Sequence, residues 1–184
     1  GQRLLIEKPL FYVNTRRSLL PWQVFLLVDQ SGSMVSSVIH SAVTASCLWA
    51  LPGVKTHLVA FDTDVVDLTD NVQDPVDVLM RVQLGGGTDI GRAVAYAAGQ
   101  IEAPRRAIVV IIGDFYEGAA EHVLVSQVRA LCAQGTQVLG LAALDEKANP
   151  DFDRVLAGKL ADAGAHIAAM TPGQLAAWLA EKLG

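Results

Sequence analysis

Three oxygen-bearing side chains stand at alternate positions in a short stretch: Asp29, Ser31 and Ser33, separated by Gln30 and Gly32. Alternate spacing lets a single loop turn a carboxylate and two hydroxyls toward one point, and Gly32 supplies the backbone freedom that such a turn can require. The stretch follows five consecutive apolar residues, Val24 to Val28. An unbroken run of this kind is expected of a strand buried on both faces. Open α/β sheets bind ligands at the carboxyl ends of their central strands, and this is where the three oxygens fall. Taken alone, Ser31 or Ser33 reads first as the N-cap of the helix that follows.

The elements needed to hold such a site follow in order. A helix is expected from about Ser33 to Ala50, its apolar face made by Val35, Val38, Ile39, Ala42, Val43, Ser46 and Trp49, ended by Pro52-Gly53. Lys55–Phe61 and Val65–Leu68 read as strands joined by a connection so short that the second must be antiparallel and at the sheet edge. Asp74-Pro75 opens a helix ending near Gln83, and an amphipathic helix follows the glycine run Gly85 to Gly87. Ala107–Ile112 is a second central strand. A helix over Glu121–Ala133, a strand over Gln137–Ala142, a helix from Asn149-Pro150 to Ala163 and a weak strand over Ala165–Ala168 come next. Thr171-Pro172-Gly173-Gln174 combines an N-cap, a first-turn proline and a capping-box glutamine for the last helix. Strands alternating with helices give one Rossmann-like, doubly wound, mostly parallel α/β sheet with an antiparallel edge strand and helices on both faces. Residues 1–21 are assigned to an N-terminal connector, with an edge strand over Leu10–Val13, and 22–184 to the domain itself.

Two more positions complete a pattern. Thr88 lies in the glycine-rich loop that opens a helix, and Asp114 follows the strand Ala107–Ile112. Asp29, Ser31 and Ser33, then Thr88, then Asp114 resemble the metal-ion-dependent adhesion site of von Willebrand factor A (VWA) domains. The resemblance covers nearly the whole chain after Pro21. It implies a metal site in which Ser31, Ser33 and Thr88 offer hydroxyl oxygens while Asp29 and Asp114 bind directly or through water. Mg2+ suits such a set, since it is a hard cation that takes six oxygens and usually keeps several waters; Mn2+ and Ca2+ are alternatives. With few direct carboxylates, the ion keeps the charge to accept an acidic oxygen from a partner. Asp89 reads either as a carboxylate lying behind the ligands or as a first-turn acid favoured by the helix dipole. Asp62, Asp64 and Asp67 read as a solvated hairpin rather than a second cation site. Phe115 and Tyr116, directly after Asp114 and outside any periodic apolar face, are the candidate anchors for a partner.

Wording such as Val28-Asp29-Gln30-Ser31-Gly32-Ser33-Met34, Phe61-Asp62-Thr63 and Leu84-Gly85-Gly86-Gly87-Thr88-Asp89-Ile90 is similar to that of bacterial CoxE-like VWA proteins. That family implies a non-enzymatic, cytoplasmic adaptor working beside a MoxR-type AAA+ ATPase and gripping the ATPase or its client through the metal. The alternative is a VWA subunit of a chelatase-like AAA+ machine that inserts metal into a tetrapyrrole. A metal-dependent hydrolase lacks a general base, because His40, His57, His122 and His166 fall in unrelated elements. A net charge of −5 argues against nucleic acid as partner, whose footprint is basic. No apolar run approaches the ~20 residues needed to span a bilayer. Cys47 and Cys132 fit buried reduced thiols. The opening residue is Gly1 rather than Met, so a trimmed sequence is expected.

Overall fold

The computed structural model describes residues 20–32, 34, 46, 49, 51–71, 74–82, 85–142, 144 and 149–184. Within them, six strands build one sheet: β1 (Trp22–Asp29), β2 (Val54–Phe61), β3 (Val65–Asp67), β4 (Ala107–Gly113), β5 (Gln137–Ala142) and β6 (His166–Ala168). Their order is β3-β2-β1-β4-β5-β6. All neighbours are parallel except β2 and β3, which pair antiparallel from Phe61↔Val65 to Val59↔Asp67. The edge position expected for β3 therefore holds.

The apolar runs of β1 and β4 are unbroken because both faces of these strands are covered. Phe25 and Leu27 of β1, with Val109 and Ile111 of β4, belong to one core. The helices α2 (Ile90–Gln100), α3 (Glu121–Ala133) and α4 (Arg154–Asp162) pack there through Ile90, Val94, Leu124, Val128, Leu156 and Leu160. Val24, Leu26 and Val28, with Ile108, Val110 and Ile112, face the other way. On that side lie Leu79 of α1 (Pro75–Arg81) and Leu175 and Leu179 of α5 (Pro172–Leu183). Burying one such aliphatic side chain completely contributes roughly 1.5–3 kcal/mol, so the two central strands carry much of the fold's stability.

Helix starts follow their caps. Asp74 caps α1 by accepting from Val76 N and Asp77 N, and Thr171 with Gln174 forms the capping box of α5. The start expected at Asn149-Pro150 is corrected: α4 begins at Arg154, because Asp153 accepts from the amides of Val155 and Leu156, both at 3.0 Å. Pro150 instead lies in an isolated antiparallel bridge with Leu144. The helix expected over 33–50 lies outside the described residues except for Met34, which is buried, and Ser46 and Trp49, both helical. The strand expected at 10–13 and Cys47 are also outside them. Cys132 is a free, half-buried thiol whose pKa burial raises.

Candidate metal centre

Chain connections leave β1 and β4 in opposite directions across the sheet, since β2 lies beside β1 and β5 beside β4. The crevice between the carboxyl ends of β1 and β4 is thus the topological switch point. Asp29 is the last residue of β1, and Asp114 follows Gly113, the last of β4.

Asp29 is 1% exposed. One carboxylate oxygen, Oδ1, accepts the Ser31 amide at 2.8 Å. The other, Oδ2, is buried without a hydrogen-bond partner among the described residues. Gly113 lies against it; a Cβ there would come within 3.1 Å of Oδ2. Burial pushes the Asp29 carboxyl up to about 6, aided by the negative charges of Asp114 and Glu117 and opposed by the hydrogen bonds from Ser31.

The loop after β1 is laced to its neighbours by backbone. Gln30 N donates to Phe61 O at 2.7 Å, Gly32 N to Gly86 O at 3.1 Å, and Gly85 N to Gln30 O at 3.0 Å. Gly85 makes this possible at φ +67, a left-handed conformation that glycine adopts freely. The glycine loop then delivers Thr88, 7% exposed, to the same edge. Ser31 and Asp114 are buried there as well, at 2% and 5% exposure. Ser33 lies outside the described residues.

Asp62 is corrected from a solvated hairpin residue to a buried brace, 7% exposed. Its Oδ1 accepts from Asp64 N at 2.8 Å, and its Oδ2 from Gly86 N at 3.2 Å. Its carbonyl accepts from Asp89 N at 2.8 Å. The Asx-turn spacing of Asp62 and Asp64 was the available sequence signal. Asp64 itself is exposed and paired with Arg92, while Asp67 accepts a hydrogen bond from the Tyr96 hydroxyl. Among the described residues, no three His, Cys, Asp or Glu side chains group so as to hold a metal by themselves. A cation at this edge would therefore depend on hydroxyl oxygens.

Asp89 caps α2: its Oδ1 accepts from Arg92 N at 2.9 Å at the start of the helix. Phe115 is corrected from exposed anchor to core residue. It is fully buried, packs edge-on to Phe152 at 6.2 Å between ring centroids, and adopts φ +60, which turns its side chain inward. Tyr116 does point out, 47% exposed, its hydroxyl donating to Asp151 Oδ1 at 3.3 Å. Glu117, which the sequence did not single out, accepts from Ile90 N and Gly91 N, at 3.1 and 3.0 Å. Its partners lie more than two dozen residues away in sequence, so no local pattern marks it.

The donor set fits a hard divalent cation. Asp29, Asp114, Ser31 and Thr88 bring buried carboxylate and hydroxyl oxygens to one edge, the ligand chemistry of Mg2+, Mn2+ and Ca2+. A buried carboxylate oxygen left without a partner is costly unless a proton or cation meets it.

A doubly wound sheet carrying these residues at its switch point is the architecture of a VWA domain. The family model described as "VWA domain containing CoxE-like protein" matches residues 4–179, and the chain belongs to that family. The uncharacterized protein YehP of Escherichia coli (strain K12) is 58% identical over 181 residues. The alignment covers 98% of this chain and 48% of YehP, so the chain spans about half the length of that relative. Among solved structures, an aerotolerance-related membrane protein from Bacteroides fragilis NCTC 9343, bearing multiple mutations to serines, aligns with a TM-score of 0.66 at 16% identity. That match covers 88% of this chain and 98% of the other. A von Willebrand factor type A protein from Catenulispora acidiphila aligns with a TM-score of 0.65 at 19% identity, over 89% of this chain and 43% of the other. At these identities the likeness is one of fold.

Proposed function

We propose that this chain is a metal-dependent, non-enzymatic protein-binding adaptor. In this reading Asp29, Ser31, Ser33, Thr88 and Asp114 hold Mg2+, with Mn2+ or Ca2+ able to substitute. The bound cation supplies an electrophilic position for a partner's acidic side chain. The partner is a MoxR-type AAA+ ATPase or its client, in the cytoplasm, as membership of the CoxE-like family suggests. The observation that carries the metal half is the Asp29 Oδ2 atom, buried and unpartnered at the switch point beside the loop of Asp114. No helix of the described residues is long and apolar enough to cross a membrane.

Calorimetric titration of Mg2+ into the wild type, Asp29→Ala and Asp114→Ala at neutral pH tests the site. The wild type is expected to bind saturably. Both variants should bind more than about tenfold more weakly, as expected when a charged partner of a site is removed. Wild-type affinity in Asp114→Ala would remove that carboxylate from the site.

A further inference from the structure

The loop after β4 reads Asp114-Phe115-Tyr116-Glu117-Gly118, and two of its attachments cross to the loop that carries Thr88. Gly118 N donates to Thr88 O at 2.9 Å. Glu117 spreads its two carboxylate oxygens over the first amides of α2, Oε1 on Ile90 N and Oε2 on Gly91 N. Its Oε1 also accepts from Ala119 N at 3.3 Å, which ties the side chain back to its own loop. We propose that Glu117 is a positioning residue that clamps the Asp114 loop to the Thr88 loop and so sets the two halves of the candidate metal centre relative to each other. The consequence for the metal rests on the reading given above; the clamp itself does not require a metal.

The hydrogen-bond accounting of α2 supports this division of labour. The first amides of a helix have no acceptor within it. Here Arg92 N goes to the Asp89 side chain and Ala93 N to the Asp89 carbonyl, both local. Ile90 N and Gly91 N go to Glu117, more than two dozen residues downstream. An ionised acceptor on backbone amides at the positive end of a helix makes strong, charge-assisted bonds. Asp89 thus caps the helix, whereas Glu117 joins two segments that share no strand. Glycine is required at the second crossing point, because a Cβ on Gly118 would lie 2.8 Å from Thr88 O. With both crossings in place, displacing Asp114 displaces Thr88 as well. Partners that orient ligands in this way typically change metal affinity 10–100-fold when removed.

The test uses the full chain in two steps, with Asp74→Ala as a control that removes the cap of α1, a helix packed on the opposite face of the sheet from α2. Amide hydrogen exchange on the metal-free protein comes first. Glu117→Ala should accelerate exchange in residues 85–91 and 114–119 together, by about tenfold or more, while leaving β1 and β4 protected. Glu117→Gln, which keeps one acceptor oxygen, should fall between it and the wild type, and it carries the test if the alanine variant does not fold. Asp74→Ala should change neither segment. Titration of Mg2+ follows, and Glu117→Ala should bind about tenfold more weakly or worse, with Asp74→Ala unchanged. Faster exchange confined to the start of α2, with residues 114–119 and Mg2+ affinity unmoved, would reduce Glu117 to a helix cap and overturn the proposal. A wild type that binds no Mg2+ removes the metal reading, and the exchange of the two loops still decides the clamp.

Discussion

At the scale of single residues, Asp29 is where burial and charge conflict. Its carboxyl is 1% exposed and has its pKa raised from 3.8 to about 6, first by loss of hydration and then by Asp114 and Glu117. Between those two values the metal-free folded protein holds a proton that the unfolded chain has released. Stability from this group is therefore gained as pH falls through the window from about 6 to 4 and lost as it rises. The gap from 3.8 to about 6 corresponds to roughly 3 kcal/mol at most. Asp29→Asn removes the charge and nearly preserves the shape. In EDTA at pH 7 it should melt above the wild type, and the advantage should shrink by pH 5. It should also lose any stabilisation by Mg2+, which in the wild type should itself weaken below about pH 6 as protons compete for the carboxylate. Melting curves at the two pH values check this; an asparagine variant that melts lower than wild type in EDTA at pH 7 would show that the ionised carboxylate is not a source of strain. The spacing of Asp29, Ser31 and Ser33 made this locus legible in the sequence, because residue type and interval are local facts. The orphaned oxygen was not legible, since it depends on β4 ending in Gly113 alongside.

Among elements, the strands and caps were readable and the loops were not. β1 and β4 announced themselves by apolar runs, and Asp74 and Thr171 by proline one residue on. Asn149-Pro150 imitated that cap signal, but Asp153 captured the first amides of α4 instead. The burial of Phe115 in the loop after β4 is not legible, because a residue following a strand end is ordinarily exposed, and nothing in sequence flags a phenylalanine at φ +60. The side chain fits against Phe152 and beside Gly140, where a Cβ would come within 3.0 Å of its ring. Phe115→Ala should cost about 3–5 kcal/mol in urea unfolding, as for buried aromatics generally. Tyr116→Ala, half-exposed, should stay within about 0.5 kcal/mol. Equal small effects would mean that Phe115 does not anchor the loop.

For the whole molecule, the sheet order and the charge distribution decide how a partner can approach. The switch-point edge carries the exposed Tyr116, and the first turns of α3 and α4 add the exposed Val123 and Val155. The same loops and helix starts bring Glu117, Asp151 and Asp153, with Glu121 paired to Lys159 and Arg154 stacked on Phe152, in a chain of net charge −5. In the proposed reading, a bound cation would give this acidic edge the one positive point that an acidic partner residue needs. Association should therefore be strictly metal-dependent rather than merely strengthened by metal, unlike a contact made by the apolar rim alone. With a MoxR-type AAA+ ATPase as titrant, EDTA and Asp29→Ala should each abolish binding. Tyr116→Ala should weaken it by an interface-sized ~1–3 kcal/mol while leaving Mg2+ affinity unchanged, since its ring lies outside the donor set. Phe115→Ala should alter binding only as far as it unfolds the loop. Binding that survives both EDTA and Asp29→Ala would assign the partner surface to another face of the molecule.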